Sequence, residues 1–196
     1  MPSNEARGMV APMKKALSLA ILLTNLPASL AVAQTTWNGL RFGMSPKDAI
    51  GVMAASKTNM HSPDPQKLIS SNDFDLKLPN TTMLLPLNVE LDFDTKGLNL
   101  IVLQLDVREF RRRSPDITSD AMAMYIVNKF IYEALHERYG NPLNMQDDCD
   151  PLGAVLTWQG CSANWSVDDV DIGYMVTSIG STNSVLIQYR PIQNAL

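Results

Sequence analysis

Histidine, cysteine and carboxylate side chains are the residues of this chain that could support metal or nucleophilic chemistry. A zinc site needs three or four ligands of these types. The chain has only two histidines, His61 and His136, and they stand far apart in the sequence. His136 lies beside Glu133 and Glu137 in a helical stretch, which favours an exposed helix histidine over a metal ligand. The sequence therefore predicts no metal site.

Three clusters of aspartates could hold a cation, because converging carboxylates bind calcium. The run from Asp92 to Gly97 lacks the other ligands of an EF-hand loop, and Lys96 adds a repelling charge. We expect turns and solvated surface at all three clusters. The group around Cys149 is the best alternative, since a disulfide would hold it rigid. The clusters are Asp92 with Asp94; Asp147, Asp148 and Asp150; and Asp168, Asp169 and Asp171.

Motifs of nucleophilic and phosphate chemistry are missing from the sequence. It has no Gly-x-Ser-x-Gly elbow and no glycine-rich phosphate loop. Cys149 with His136 is a conceivable Cys/His pair, which a disulfide would abolish. A pair of carboxylates of the glycosidase kind stays open, because any two acids can meet in space. We predict no catalytic residue and no cofactor.

The only basic run of the chain comprises Arg108, Arg111, Arg112 and Arg113. It could dock an anionic partner, such as lipid headgroups or an acidic protein surface. The alternative, which we favour, is a solvated linker between two halves of the chain, balanced by Glu109 and Asp116. The four arginines are the candidate partner-binding residues.

The N-terminal residues have the order of a cleavable secretory signal peptide over 13–33. Lys14 and Lys15 precede an apolar stretch over 16–30, and Ala31-Val32-Ala33 matches the small-x-small cleavage pattern. Cleavage would leave a chain that starts near Gln34. Residues 1–12 carry no signal, so we expect an N-terminal extension before a start at Met13.

Export is what this pattern implies, to the periplasm or outside the cell. An N-terminal anchor or a buried helix is the alternative, but the apolar stretch is too short and interrupted to span a bilayer, which needs about 20 apolar residues. No cysteine stands at the cleavage site, and no later apolar run is long enough for a membrane span. Residues 1–33 hold three of the 16 basic and one of the 20 acidic residues, so 13 and 19 remain and the net charge is −6. This acidity argues against nucleic acid as a partner.

Cys149 and Cys161 are the two cysteines, and both follow the predicted cleavage site. An oxidising compartment favours a disulfide between them, and two buried thiols are the alternative. The bond would close a loop of about 13 residues, worth ~3 kcal/mol in the chain-entropy account.

The elements that must position these residues alternate between helix and runs of strand. Ser45 and Pro46 begin a helix that ends near Ser56, and a longer helix runs from Thr118 or Ser119 to Tyr139. We expect a loop over 57–67 and the charged linker over 108–115. The strands are predicted over 68–78, 83–94, 98–107, 154–158, 161–167, 171–177 and 184–189.

This order predicts one α+β domain over 34–196, with two helices packed on one face of an antiparallel sheet. Its halves, about 37–110 and 115–192, could be divergent repeats of a helix followed by a β-meander. The phrases Leu40-Arg41-Phe42-Gly43-Met44-Ser45 and Tyr139-Gly140-Asn141-Pro142, with Trp158 beyond, are similar to small periplasmic domains of the β-lactamase-inhibitor-protein fold and to the small lipoprotein of the outer-membrane barrel-assembly machinery. The chain departs from that lipoprotein in lacking an acylated cysteine. The resemblance implies a binding or scaffolding role and no catalytic residue.

We therefore expect an exported binding or scaffolding module for an envelope or secreted protein partner. Two alternatives stay open: a small exported hydrolase that uses Asp and Glu carboxylates, and a carrier with an apolar cavity for a small ligand. The sequence does not indicate an oligomeric state.

Overall fold

A computed structural model describes residues 37–77, 83–146, 160–179 and 182–192 of the chain, without the side chains of residues 71–73, 178, 179 and 182. All of them belong to one unit, Ala33–Leu196. The described part holds three helices: α1 Pro46–Ala55, α2 Val107–Arg113 and α3 Asp120–Tyr139. Its strands are β1 His61–Asp64, β2 Lys67–Lys77, β3 Leu84–Asp94, β4 Gly97–Asp106, β5 Asn144–Gln146, β6 Gly160–Val167, β7 Val170–Ile179 and β8 Thr182–Pro191.

The strands form one antiparallel sheet of eight strands in the order β1-β2-β3-β4-β8-β7-β6-β5. Each half of the chain is a helix followed by a meander of four strands, and the last strands of the two meanders, β4 and β8, pair at the centre of the sheet. The predicted α+β class and the helix-then-meander pattern are confirmed. The predicted strand over 154–158 lies outside the described residues.

The core lies between the helices and one face of the sheet. Side chains alternate along a strand, and one alternate set on each of β3, β4, β6, β7 and β8 is buried. The helices meet this face with their own apolar stripes, such as Ala49 and Met53 of α1 and Val127, Ile131 and Leu135 of α3. Burial of these stripes is the main force that holds the helices on the sheet.

Capping residues define the helix ends close to the positions predicted from the sequence. The Ser45 side chain accepts a hydrogen bond from the Asp48 amide, and Ser119 accepts one from the Met122 amide. Gly140 ends α3 with a φ of 77°, a value that favours glycine, and its amide bonds to the His136 carbonyl. The two long predicted helices are thus confirmed to within two residues.

The charged linker predicted over 108–115 is wrong, because residues 107–113 form the helix α2. Asp106 caps it by accepting from the amides of Arg108 and Glu109. Val107 and Phe110, three positions apart, are fully buried under it. The fold therefore has a third helix at the junction of its halves.

The loop predicted over 57–67 is also wrong in part, since residues 61–64 form the edge strand β1. It pairs with β2 through His61 opposite Ile69 and Asp64 opposite Lys67. Pro63 is compatible with a strand here, because an edge strand has one side without ladder hydrogen bonds. No feature of the sequence predicted β5, a described strand of three exposed residues that pairs with β6.

Candidate functional site

The face of the sheet opposite the helices, called here the open face, is left uncovered by the described helices. Its side chains are the alternate set on each strand, and they are half-buried or exposed. Met175, for example, points to this side and is 42% exposed, whereas its neighbours Tyr174 and Val176 are buried. The open face thus differs sharply from the packed face a few ångströms away.

A depression of about 350 Å³ lies on the open face over β5, β6, β7 and β8. Strand register aligns four residues in one row across it: Asn144 opposite Asn164, Asn164 opposite Gly173, and Gly173 opposite Gln188. Gly173 has no side chain, so the row has a gap with amide groups on both sides. The depression is a direct result of glycine at this register position.

Two hydrogen bonds hold part of the wall of the depression. Arg190 donates through an Nη atom to the Gln188 Oε1 atom at 2.7 Å, which orients both side chains. The Leu143 amide donates to the Asn164 carbonyl at 2.7 Å and holds β5 against β6. Leu143 itself is 68% exposed at the rim. The site therefore combines one hydrogen-bonded side-chain amide, that of Gln188, with one apolar side chain open to solvent.

The open face carries an excess of carboxylates. On β3, β4, β7 and β8 its charged residues are Glu90, Asp92, Asp94 and Asp171 against Arg190, whereas the Asp106 side chain caps α2. Lys67 on β2 lies against two of these acids, with its Nζ atom 2.7 Å from Glu90 and 3.5 Å from Asp92. The hydrogen bond to Glu90 chiefly raises the pKa of Lys67, so this lysine stays charged. The open-face positions of β3, β4, β7 and β8 thus carry more acidic than basic residues, which favours a cationic ligand there.

The four candidate arginines lie on α2, on the helical side of the molecule. Arg111 contacts Asp120 of α3 at 2.7 Å, and Arg113 contacts Asp75 of β2 at 2.9 Å. Arg112 and Arg113 both bond to Glu109, and hydrogen bonds from them lower the pKa of that carboxyl to about 2. The acidic partners are thus Glu109, Asp75 and Asp120, and the run ties α2 to its neighbours.

The two histidines considered as metal ligands do not lie together in the structure. His61 is exposed on the edge strand β1, and the His136 Nε2 atom lies 2.8 Å from Asn141 Oδ1 at the end of α3. Across the described ranges no three His, Cys, Asp or Glu residues lie together in a metal-binding group. Asp168 and Asp169 form the turn between β6 and β7, and the Asp94 side chain accepts from the Lys96 amide in a hairpin turn. Asp94, Asp168 and Asp169 therefore take part in turns, as predicted, whereas Asp92 and Asp171 lie on strands β3 and β7.

The remaining predicted residues lie partly outside the described ranges. The residues outside these ranges are Asp147, Asp148, Cys149, Asp150 and the signal segment 13–33. Cys161 is buried on β6. Within the described residues no helix has the length and apolar character to cross a membrane.

The residues of the depression were not predicted from the sequence. Gly173 and Gln188 stand in strands whose alternation was recognised, but their neighbours in space depend on register. One feature of the sequence indicates the gap. Gly173 occupies a position in an alternating strand where an outward-facing polar residue is expected. Comparison of the chain with models of protein families, with curated proteins and with solved structures gave no match.

Proposed function

We propose that this protein is an exported, non-catalytic module that binds a protein partner on the open face of its sheet. The observation that carries the proposal is the depression at Gly173, set in a face that the described helices leave uncovered, with the hydrogen-bonded Gln188 amide at its wall. Preformed, orientated groups lower the cost of ordering on binding. The partner is an envelope or secreted protein, in keeping with the signal pattern over 13–33.

The chemistry of the site specifies what the partner presents. Asn144, Asn164 and Gln188 have side-chain amides that donate and accept, which matches the pairing needs of a peptide backbone. The surrounding carboxylates favour a segment with lysine or arginine. We therefore expect an exposed, extended and basic segment of the partner in the depression.

The carboxylate hydrolase finds less support. A glycosidase needs two carboxyl groups across one cleft. Asp171 is the single carboxylate among the residues that line the depression. A binding role uses this acid for charge complementarity and requires no second one.

Export and a disulfide between Cys149 and Cys161 are part of the proposal. Cys161 is buried, and no free thiol is found among the described residues. Intact-mass and peptide analysis of the protein recovered from the cell envelope or medium checks both. We expect an N-terminus near Gln34 and a peptide that links the two cysteines. An intact N-terminus with reduced thiols would contradict export.

Photo-crosslinking in living cells tests the binding face. A crosslinking amino acid replaces Gln104, which is exposed on the open face, or Glu137, which is exposed on α3 as the control. We expect an adduct with one defined protein from position 104 and none from position 137. The Asp171→Asn change should weaken that adduct several-fold, whereas Asp116→Asn in an exposed turn should not. Equal adducts from both crosslinker positions would refute the open face as the binding site.

A further inference from the structure

A second cavity, of about 580 Å³, lies beside α2 on the helical side of the molecule. It is separate from the open face, and the proposed partner site does not use it. The side chains that matter for its chemistry are those of Arg108, Arg111, Arg112, Thr118 and Asp120. Three arginines and one aspartate therefore line this cavity, which is called here the arginine pocket.

Two of the arginines are held in place by acids on one side only. The Arg112 Nε and Nη atoms donate to the two Glu109 oxygens at 2.8 and 2.7 Å, and an Arg111 Nη atom donates to Asp120 at 2.7 Å. A guanidinium has five N–H donors, so Arg112 keeps three and Arg111 keeps four. These acids orient the arginines and leave most of their donors for a ligand.

The position of the pocket makes these donors accessible. The Arg112 side chain is 72% exposed and that of Arg111 is 45% exposed. The Thr118 hydroxyl lines the same cavity and adds a neutral donor. Several convergent donors with positive charge suit a tetrahedral oxyanion, which offers more acceptor atoms than a carboxylate.

We propose that the arginine pocket binds a phosphoryl group, with Arg111 and Arg112 as its main ligands. The group belongs either to a soluble phosphate ester or to the headgroup of an anionic lipid. A purely structural ion-pair network, which only ties α2 to β2 and α3, is the competing explanation. That network would be complete without any anion.

Binding measurements on the purified exported protein distinguish these cases. Titration calorimetry with inorganic phosphate and with glycerol phosphate tests a soluble ligand. Sedimentation with vesicles of phosphatidylglycerol and phosphatidylcholine, against phosphatidylcholine alone, tests a headgroup. We expect saturable binding in at least one arm, weakened by added salt because exposed charges are screened.

Substitutions assign that binding to the pocket. Arg111→Ala and Arg112→Ala should each weaken it about tenfold, as expected for the loss of charge-assisted hydrogen bonds. Arg112→Ala leaves Glu109 bonded to Arg113, so the fold should persist, and the unfolding temperature checks this. Arg112→Lys keeps the charge but loses the planar fork, so it should also weaken binding. Arg41→Ala, an exposed arginine outside the pocket, is the matched control.

Each outcome either supports or overturns the proposed phosphoryl site. Binding to soluble phosphates or to anionic vesicles that falls in both pocket variants and not in Arg41→Ala supports the proposal and identifies the source of the phosphoryl group. No saturable binding to any probe would overturn it. So would binding that Arg111→Ala and Arg112→Ala leave intact, or that Arg41→Ala reduces equally.

Discussion

At the scale of single residues, Tyr174 and Asn128 form a buried polar pair between β7 and α3. The Tyr174 hydroxyl donates to Asn128 Oδ1 at 2.5 Å, and the two residues are 1% and 0% exposed. Burial raises the pKa of Tyr174 well above its ordinary value. The pair fixes α3 over the strand whose outward residues include Gly173.

Removal of the tyrosine hydroxyl should therefore destabilise the protein. We expect Tyr174→Phe to lower the free energy of unfolding by about 1–2 kcal/mol, because it withdraws a donor from a buried amide. Urea denaturation at pH 7 measures this, and Tyr125→Phe on the half-buried side of α3 is the control. Unchanged stability would mean that this hydrogen bond makes no net contribution to the free energy of unfolding.

Glu109 should make stability depend on pH in the acid range. Hydrogen bonds from Arg112 and Arg113 lower its pKa from 4.5 to about 2 in the folded protein. A carboxyl with a lowered folded pKa stabilises above its unfolded pKa and loses that effect as pH falls through the folded one. We expect Glu109→Gln to be less stable than the wild type at pH 6, with the difference shrinking between pH 4.5 and 2. A difference that persists unchanged at pH 2, measured by urea denaturation, would contradict this assignment.

The contacts between the residues of the depression could not be predicted from the sequence. The sequence shows where Gly173, Asn164 and Gln188 stand in the chain, but it does not show that they lie side by side in the sheet. A shift of one residue in strand register moves every side chain to the other face. Only the pairing of four strands brings these residues into one row.

At the scale of elements, the turn from β3 into β4 depends on Gly97. It has a φ of 108°, and an added Cβ atom would meet the backbone of Gly43. The segment before α1 is bonded there, with the Gly43 amide 2.9 Å from the Leu98 carbonyl and the Leu98 amide 2.9 Å from the Met44 carbonyl. Glycine at 97 therefore allows the N-terminal segment to lie close against the hairpin.

Alanine at this position should be costly. We expect Gly97→Ala to lower the free energy of unfolding by about 2 kcal/mol or more, from backbone strain and the clash with Gly43. Gly51→Ala is the matched control, since open space surrounds it on α1 and alanine should stabilise a helix by about 0.5–1 kcal/mol. Thermal or urea unfolding of both variants provides the comparison. Equal stability of the two variants would disprove the role of Gly97.

Elements with strong local signals were predicted well, and those held by long-range contacts were not. Helix α3 has a cap, an apolar stripe and a glycine stop, all within its own sequence. Helix α2 is short and rich in arginine, and it packs against α3, β3 and β8. Strand β5 has three exposed residues and no alternation to recognise, so its pairing with β6 is a tertiary effect.

At the scale of the whole molecule, two similar halves join at β4 and β8 to make one continuous sheet. Of the two outermost described strands, β1 is four residues long, which limits pairing with other chains at that edge. The α+β class followed from the order of elements, whereas the strand order required knowledge of which strands pair. Binding through a face rather than an edge is consistent with this architecture.

The central claim is that a protein partner occupies the depression at Gly173. The most direct measurement is the affinity of the crosslinked partner for Gly173→Val, with Gly51→Val as the matched glycine control. An added Cβ at 173 meets only ordinary contacts, 3.5 Å from Asn164 Oδ1 and 4.0 Å from Gln188 Cβ, and valine suits a strand, so the fold should hold. We predict a loss of affinity of about tenfold or more for Gly173→Val, because a few central contacts carry most of the binding energy of an interface, and none for Gly51→Val. Equal affinity of Gly173→Val and the wild type would contradict the account.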